Sequence, residues 1–239
     1  MAHQFIALEI RKWMMTVNQI IGDSQSKTAA NFGKRFFAWM MAQSSSTYDK
    51  VVSDVYDDLS LRKLSLFANL QGTVLEIVPG TGPTVPYYPK DIYQTGIQPK
   101  PHTHSYLQKQ VEKLGLNIDL RIGNAEWLDA EDNSIDTVVS NLVLCSVPNI
   151  DYTLQAVLRV LKPGGRFLFI ENIAVPKGTL LRKIQSKINP GWKVIDDVCH
   201  PDRETLIALE NAGFTNIHYE QFEAKMPIIS PHIIGIATK

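Results

Sequence analysis

Residues 74–82 read Val-Leu-Glu-Ile-Val-Pro-Gly-Thr-Gly and join an apolar, strand-like run to a turn that contains two glycines. A turn of this kind lets the backbone approach a ligand closely, because glycine has no side chain in the way. The same residues also fit a plain tight turn between a strand and a helix. The turn alone therefore leaves two interpretations open, a ligand cradle and a structural turn.

Strand-like and helical segments alternate outward from this turn, beginning at Thr73. Such alternation is typical of an α/β fold with a mainly parallel sheet. Helices are expected at residues 102–114, around Leu154 to Leu161, and from Asp202, acting as an N-cap, to Gly213. We predict seven strands, at residues 73–78, 92–97, 118–122, 135–140, 166–171, 215–222 and 231–238.

The first 68 residues differ from the rest, because they carry no strand signal and place apolar residues at helical spacing. We therefore predict an N-terminal helical cap or lid over residues 1–68 and a main domain over residues 69–239. The 239 residues are 44% apolar, which is enough for one sizeable core. The apolar surface of the cap fits plain packing or a homodimer contact.

Charge and cysteine content exclude several classes of protein. Lys and Arg number 24, as do Asp and Glu, so the formal net charge is zero and gives no electrostatic footprint for nucleic acid or an anionic membrane. The two cysteines exclude a disulfide scaffold; Cys145 is expected in the core, and Cys199 fits a small buried residue better than a reactive thiol. No apolar run is long enough to span a bilayer, so we expect a cytoplasmic protein.

Four segments of the chain, of which the glycine turn is the first, carry the most specific pattern. They are residues 74–82, Gly-Asn-Ala-Glu-Trp-Leu at 123–128, Ser-Ile-Asp-Thr-Val-Val-Ser at 134–140, and residues 157–166 with Lys-Pro-Gly-Gly. In order and spacing they resemble class I S-adenosylmethionine (SAM) dependent methyltransferases. Residues 141–147, 189–192 and 230–235 are similar to the type 11 branch, which includes animal thiol S-methyltransferases. The resemblance implies a Rossmann-like sheet and SAM as the cofactor. The animal members carry an N-terminal membrane segment, which is not expected here.

The resemblance also assigns parts of SAM to residues of this chain. The backbone of Val78, Gly80 and Gly82 would cradle the methionine part, and Glu76 would orient that loop. At the end of the second strand, Gln98 stands where a carboxylate usually binds the ribose hydroxyls.

The adenine and the reacting sulfonium are assigned to two later segments. The adenine site would consist of Asn124, Ala125 and Glu126. Asn141 ends the fourth strand and would face the sulfonium.

Several of these positions depart from the family's pattern. Val78 replaces a glycine, Gln98 replaces a carboxylate, and Asn124 replaces an aspartate. A β-branched residue disfavours positive φ, and the loss of a charge-assisted hydrogen bond at Gln98 would weaken SAM binding by about 1–2 kcal/mol. Glu171-Asn172 stands where many relatives have Glu-His, so a candidate general base is missing.

Three hypotheses for the function stay open. The first is a working methyltransferase with a relaxed cofactor site, favoured by the intact Gly80, Gly82, Glu126 and Asp136. The second is a methyltransferase fold that catalyses a cyclisation, isomerisation or elimination instead. The third is a partner subunit that keeps the fold only for assembly.

A polar cluster at residues 196–202 supplies candidates for catalysis. His200 would act as a base oriented by Asp197 or its neighbour Asp196, although His200 also fits a plain role at the entry to the late helix. Tyr48 precedes the last helix of the cap and would contact the substrate, or else lie on the surface.

No metal is expected, because His102 and His104 are two residues apart on a helix and do not share a face. The reaction that fits these observations is SAM-dependent transfer of a methyl group to O, N or S of a small, partly apolar molecule, in specialised metabolism. A neutral chain argues against tRNA, rRNA or DNA as the acceptor. The enzyme class is accordingly a methyltransferase.

Overall fold

A computed structural model gives the fold, and it describes residues 59–80, 82–99, 101–186, 199–224 and 230–239. Most of the predicted cap lies outside these residues, as do the catalytic candidates Tyr48 and Asp197. Of the cap, residues 59–67 are described, and they are helical. The division at residue 68 stays a prediction.

A seven-stranded sheet forms the centre of the described chain. Its order is β3-β2-β1-β4-β5-β7-β6, and β7 is antiparallel to both of its neighbours while the other pairs are parallel. The chain order reverses between β1 and β4, which makes the crevice beyond their carboxyl ends the usual ligand-binding place in an open α/β sheet. The strands are β1 (Thr73–Ile77), β2 (Tyr93–Gln98), β3 (Ile118–Ile122), β4 (Ile135–Asn141), β5 (Leu161–Asn172), β6 (Asn216–Glu223) and β7 (Pro231–Thr238).

This architecture confirms the predicted Rossmann-like α/β sheet of seven mostly parallel strands. One boundary differs clearly, since β5 begins at Leu161 and includes the Lys-Pro-Gly-Gly run rather than starting at Arg166. Gly164 adopts a φ of 75°, and its N–H donates to the carbonyl of Lys239. The Lys-Pro-Gly-Gly residues that end the preceding helix therefore also pair, at the start of β5, with the residue that follows β7.

Three helices are bounded within the described chain: α1 (Pro101–Leu114), α2 (Ile150–Val160) and α3 (Thr205–Asn211). Asn149 caps α2 by accepting from the backbone N–H groups of residues 151 and 152. The predicted N-cap role of Asp202 is wrong, because α3 begins three residues later and the residues before it are bonded to the loop after β4. In particular, the Arg203 guanidinium donates to the carbonyl of Leu144 at 2.9 Å.

The central strands β1, β4 and β5 are largely buried on both faces, as expected for parallel strands covered by helices, whereas the outer strand β6 is mostly exposed. One face packs against α2 and α3, and its residues include Leu75, Ile77, Val138, Phe167 and Phe169. The other face packs against helical residues 59–67, and its residues include Val74, Val139, Leu168, Ile170 and Phe222. Because side chains alternate along a strand, Glu76 and Glu171 lie on opposite faces.

Candidate active site

The loops after β1 and β4 both begin with a strained backbone. Val78 has a φ of 48° and Leu142 a φ of 58°, a region that residues other than glycine rarely adopt and that β-branched residues avoid. The N–H of Val78 donates to Ile97 and the N–H of Leu142 donates to Ile170, each at 2.8 Å. Val78 thus adopts the conformation that its side chain disfavours, held there by this bond and by packing against the core.

The two glycines of the turn after β1 serve different purposes. Both have positive φ, 59° at Gly80 and 89° at Gly82. A Cβ added at Gly82 would lie 2.7 Å from Leu107 and 3.1 Å from Val85, so this glycine permits close packing against α1. A Cβ added at Gly80 would meet none of the described residues within 4 Å, so that part of the chain leaves its backbone open to a ligand.

Glu76 ties the glycine turn to the sheet. One carboxylate oxygen accepts from the Thr84 hydroxyl at 2.5 Å, and the other accepts from the Gln94 amide at 3.4 Å. Burial raises the pKa of Glu76 to about 7, against the opposing effects of its hydrogen bonds and of Lys63. The role of orienting the loop, which the resemblance implies for Glu76, stays a prediction.

The predicted ribose and adenine residues come together at the ends of β2 and β3. Gln98 is buried, and its carbonyl accepts from the N–H of Gly123, the residue before Asn124. Asn124 uses its side-chain oxygen to accept from Trp127 at 2.9 Å, and Ala125 is buried. Glu126 accepts from the N–H of Asn149 at 2.6 Å, so its carboxylate joins this segment to the start of α2. Nothing in the sequence indicates this structural bond of Glu126.

Glu171 organises the loop after β4. Its carboxylate accepts from the Ser140 hydroxyl at 2.6 Å and from the N–H groups of Val143 and Leu144 at 3.1 Å each. Burial raises the pKa of Glu171 to about 7, opposed by these hydrogen bonds. The neighbouring Asn141 has a buried side-chain oxygen with no hydrogen-bond partner among the residues that the structure describes.

His200 lies beside the same loop. Its N–H donates to the carbonyl of Cys145 at 2.9 Å, and its own carbonyl accepts from the N–H of Arg203. The structure therefore brings His200 to the end of β4, whereas its predicted partner Asp197 lies outside the described residues. Cys145 and Cys199 are both buried, as predicted.

A residue that the sequence did not single out is His232, the second residue of β7. It is fully buried and lies opposite Asn172, the last residue of β5, in the antiparallel pairing. Its Nδ1 is 2.9 Å from the carbonyl oxygen of Ser230, and its Nε2 has no partner within the described chain. In the sequence, residues 230–235 stand out only through their similarity to the type 11 branch.

The described residues fit SAM at this crevice. Gly80 leaves open backbone beyond β1, Gln98 ends β2, and the unpartnered oxygen of Asn141 lies at the end of β4. Such an arrangement, on a sheet of this strand order, fits the class I SAM-dependent methyltransferases that the four sequence segments resemble. The chain belongs to the type 11 branch of this family, and residues 75–169 match the family model described as a methyltransferase domain.

Similar proteins agree with this membership. The chain is 32% identical over 219 residues to thiol S-methyltransferase TMT1A of Homo sapiens, covering 86% of this chain and 87% of that protein. It is 34% identical over 212 residues to thiol S-methyltransferase TMT1B of Rattus norvegicus, with the same coverage. Among solved structures, the cyclase SpnF superposes with a TM-score of 0.60 at 19% identity, covering 77% of this chain and 80% of that one, which shows the fold alone.

None of the helices described is both long and apolar enough to cross a membrane. In the same part of the chain, no group of three His, Cys, Asp or Glu side chains is placed to hold a metal ion.

Proposed function

We propose that this enzyme transfers the methyl group of SAM to the sulfur of a small, largely apolar thiol. Sulfur, rather than oxygen or nitrogen, is supported by two relatives named thiol S-methyltransferases, each matched over 87% of its length. The acceptor class is carried by one structural observation: among the described residues, the side chains that lie at the edge of the sheet beyond β4 and β5 are two amides and an imidazole without charge.

This acceptor edge consists of Asn141, Asn172 and His232, which lie on one face of three strands that are neighbours in the sheet. The two amides carry no charge, and burial lowers the pKa of His232, which keeps its imidazole neutral at neutral pH. The nearby carboxylate of Glu171 points to the other face and already accepts three hydrogen bonds. A charged acceptor would find no counter-ion among these residues, whereas an apolar thiol needs none.

SAM supplies an electrophilic methyl group, so the protein mainly has to align the acceptor with that group and exclude water. The open backbone at Gly80, the buried amide of Gln98 and the free oxygen of Asn141 would hold the cofactor. The formal net charge of zero favours a small molecule over a nucleic acid as the acceptor. His200, Asp197 and Tyr48 stay candidates for substrate contact, and a homodimer, a cytoplasmic location and a role in specialised metabolism stay predictions.

The experiment is a calorimetric titration with SAM and with S-adenosylhomocysteine, followed by mass spectrometry of reactions with matched acceptors. Each acceptor skeleton would be offered as a thiol, an alcohol and an amine. Methyl gain on the thiols alone is the expected result, and preferential methylation of the alcohols or amines would contradict the assignment of sulfur. No binding of SAM at millimolar concentration would contradict methyl transfer and favour a cofactor-free reaction on the same fold.

A further inference from the structure

The pairing of β5 with β7 supplies a histidine where the end of β5 lacks one. Strand β5 ends with Glu171 and Asn172, so its own end offers no histidine. In the antiparallel register, Asn172 pairs with His232, so the two side chains lie next to each other on the same face. Because β7 runs antiparallel, its first residues lie at the same edge as the carboxyl ends of β4 and β5.

The hydrogen bonding of His232 determines which nitrogen is free. The Ser230 carbonyl can only accept, so the Nδ1 atom 2.9 Å away must carry the proton. In the neutral ring, Nε2 then has a lone pair and is an acceptor. This atom is buried and finds no hydrogen-bond donor within the described chain. A buried acceptor without a donor is uncommon in folded proteins, and it points to a position where a bound ligand supplies the donor.

The charged groups around His232 leave its ring neutral. Burial lowers its pKa, which outweighs the hydrogen bond to Ser230 and the carboxylate of Glu223 on β6. The centroids of the His232 and Phe222 rings are 5.5 Å apart. The guanidinium of Arg62 stacks on the ring of Phe222, 4.1 Å from its centroid. From β5 it faces the uncharged Asn172. A neutral imidazole with a free Nε2 is the form that accepts a proton.

We propose that Nε2 of His232 removes the proton of the acceptor thiol as the methyl group is transferred. The electron pair of the thiol sulfur forms the new S–C bond, and the S–C bond of the sulfonium breaks with its electron pair left on that sulfur. The thiol proton passes to Nε2 and leaves the imidazolium for solvent after the products depart. The inference rests on the proposed thiol acceptor and adds the base that the sequence of β5 lacks.

The test compares His232→Gln with His218→Gln, a matched control at an exposed histidine on β6. Rates are measured with an alkyl thiol, which is protonated at neutral pH, and with an acidic aryl thiol, which is already ionised. For His232→Gln we expect kcat with the alkyl thiol to fall on the order of 10²- to 10⁴-fold at neutral pH and to recover at alkaline pH. The aryl thiol should lose little, and His218→Gln should lose little with either.

Two further measurements separate this role from a structural one. In His232→Gln, the affinity for S-adenosylhomocysteine measured by calorimetry and the thermal unfolding temperature should be close to those of the wild type. The variant His232→Asn keeps a donor for the carbonyl of Ser230, and its pH profile should be the same as that of His232→Gln. Equal losses with both thiols, or an unchanged pH profile, would overturn the role of His232 as a base. If the wild-type enzyme methylates no thiol, the proposed function fails first, and that outcome is visible before any variant is made.

Discussion

The Cys199 thiol donates to the sulfur of Cys145, and the two Sγ atoms lie 3.4 Å apart in the buried interior. The hydrogen bond from the N–H of His200 to the carbonyl of Cys145 holds the two backbones side by side. A disulfide needs an S–S distance of about 2.05 Å, so a small rearrangement would close the bond. It would join the loop after β4 to the segment before α3.

We therefore predict that a thiol oxidant such as diamide forms an intramolecular disulfide between these two cysteines. The hydrogen bond with Cys199 and burial raise the pKa of Cys145, so the reaction should be slow at neutral pH and faster at alkaline pH. Intact-mass spectrometry should detect the loss of two hydrogens, and Cys199→Ser should abolish it. Oxidation that yields only intermolecular disulfides would contradict the prediction.

The strain at Val78 predicts that its replacement by glycine changes SAM affinity more than stability. Val78→Gly relieves a conformational cost of about 1–2 kcal/mol but removes a partly buried side chain of similar worth, so stability should change little. SAM binding should tighten several-fold, because glycine adopts the positive φ of this loop without the strain that any Cβ causes there. Val78→Ala keeps the Cβ and serves as the control, with affinity close to wild type. Both quantities are measured by denaturant unfolding and calorimetry; equal affinities for the two variants would show that the strain does not affect the cofactor.

A restored carboxylate at the end of β2 should strengthen the ribose contact. We expect Gln98→Glu to bind SAM about tenfold more tightly, since a charge-assisted hydrogen bond is about twice as strong as a neutral one. The gain should appear with S-adenosylhomocysteine and adenosine but not with methionine, which has no ribose. A gain that extends to methionine would place the effect elsewhere in the crevice.

The two glycines of the turn should fail in different ways when each is replaced by alanine. Gly82→Ala should lower the free energy of unfolding by 1–3 kcal/mol, roughly the range for overpacking, because the new methyl group meets Leu107 and Val85. Gly80→Ala has room for its methyl group, so its main loss should be in SAM affinity, beside a smaller cost from its positive φ. Chemical unfolding and calorimetry on both variants separate the two effects. Equal losses of affinity would contradict the distinction.

Glu171 predicts a pH dependence of stability with a definite sign. Its folded-state pKa of about 7 lies above the ordinary 4.5, so the folded protein holds its proton more tightly than the unfolded chain does. The free energy of unfolding should therefore decrease as the pH rises from about 4.5 to about 7, by about 3 kcal/mol for this group. Glu76 has a similar folded-state pKa and contributes a slope of the same sign, so Glu171→Gln should reduce the slope without removing it, measured by urea unfolding across this range. Glu210→Gln, on the exposed side of α3, is the control and should leave the slope unchanged. A slope as steep in Glu171→Gln as in the wild type would contradict the assignment.

Local patterns predicted the sheet well because the strands are short, apolar and bounded by turn residues. Strand β3 at Ile118–Ile122 and strand β7 at Pro231–Thr238 agree with prediction to the residue. The start of α3 was missed, because contacts with a distant loop, rather than a cap at Asp202, decide where the helix begins. The position of His232 beside Asn172 was also missed, since strand register across 59 intervening residues has no local signal.

The place of β7 has a consequence for the order in which the molecule can be assembled on the ribosome. Strand β6 is synthesised first, yet in the finished sheet it is bonded to β7 and separated by it from β5. A nascent chain that has emerged only as far as β6 therefore lacks the native partner of β6, while the edge of β5 that β7 will occupy is still open. The histidine that completes the acceptor edge arrives with β7, so the nascent protein has its cofactor crevice before it has its proposed base.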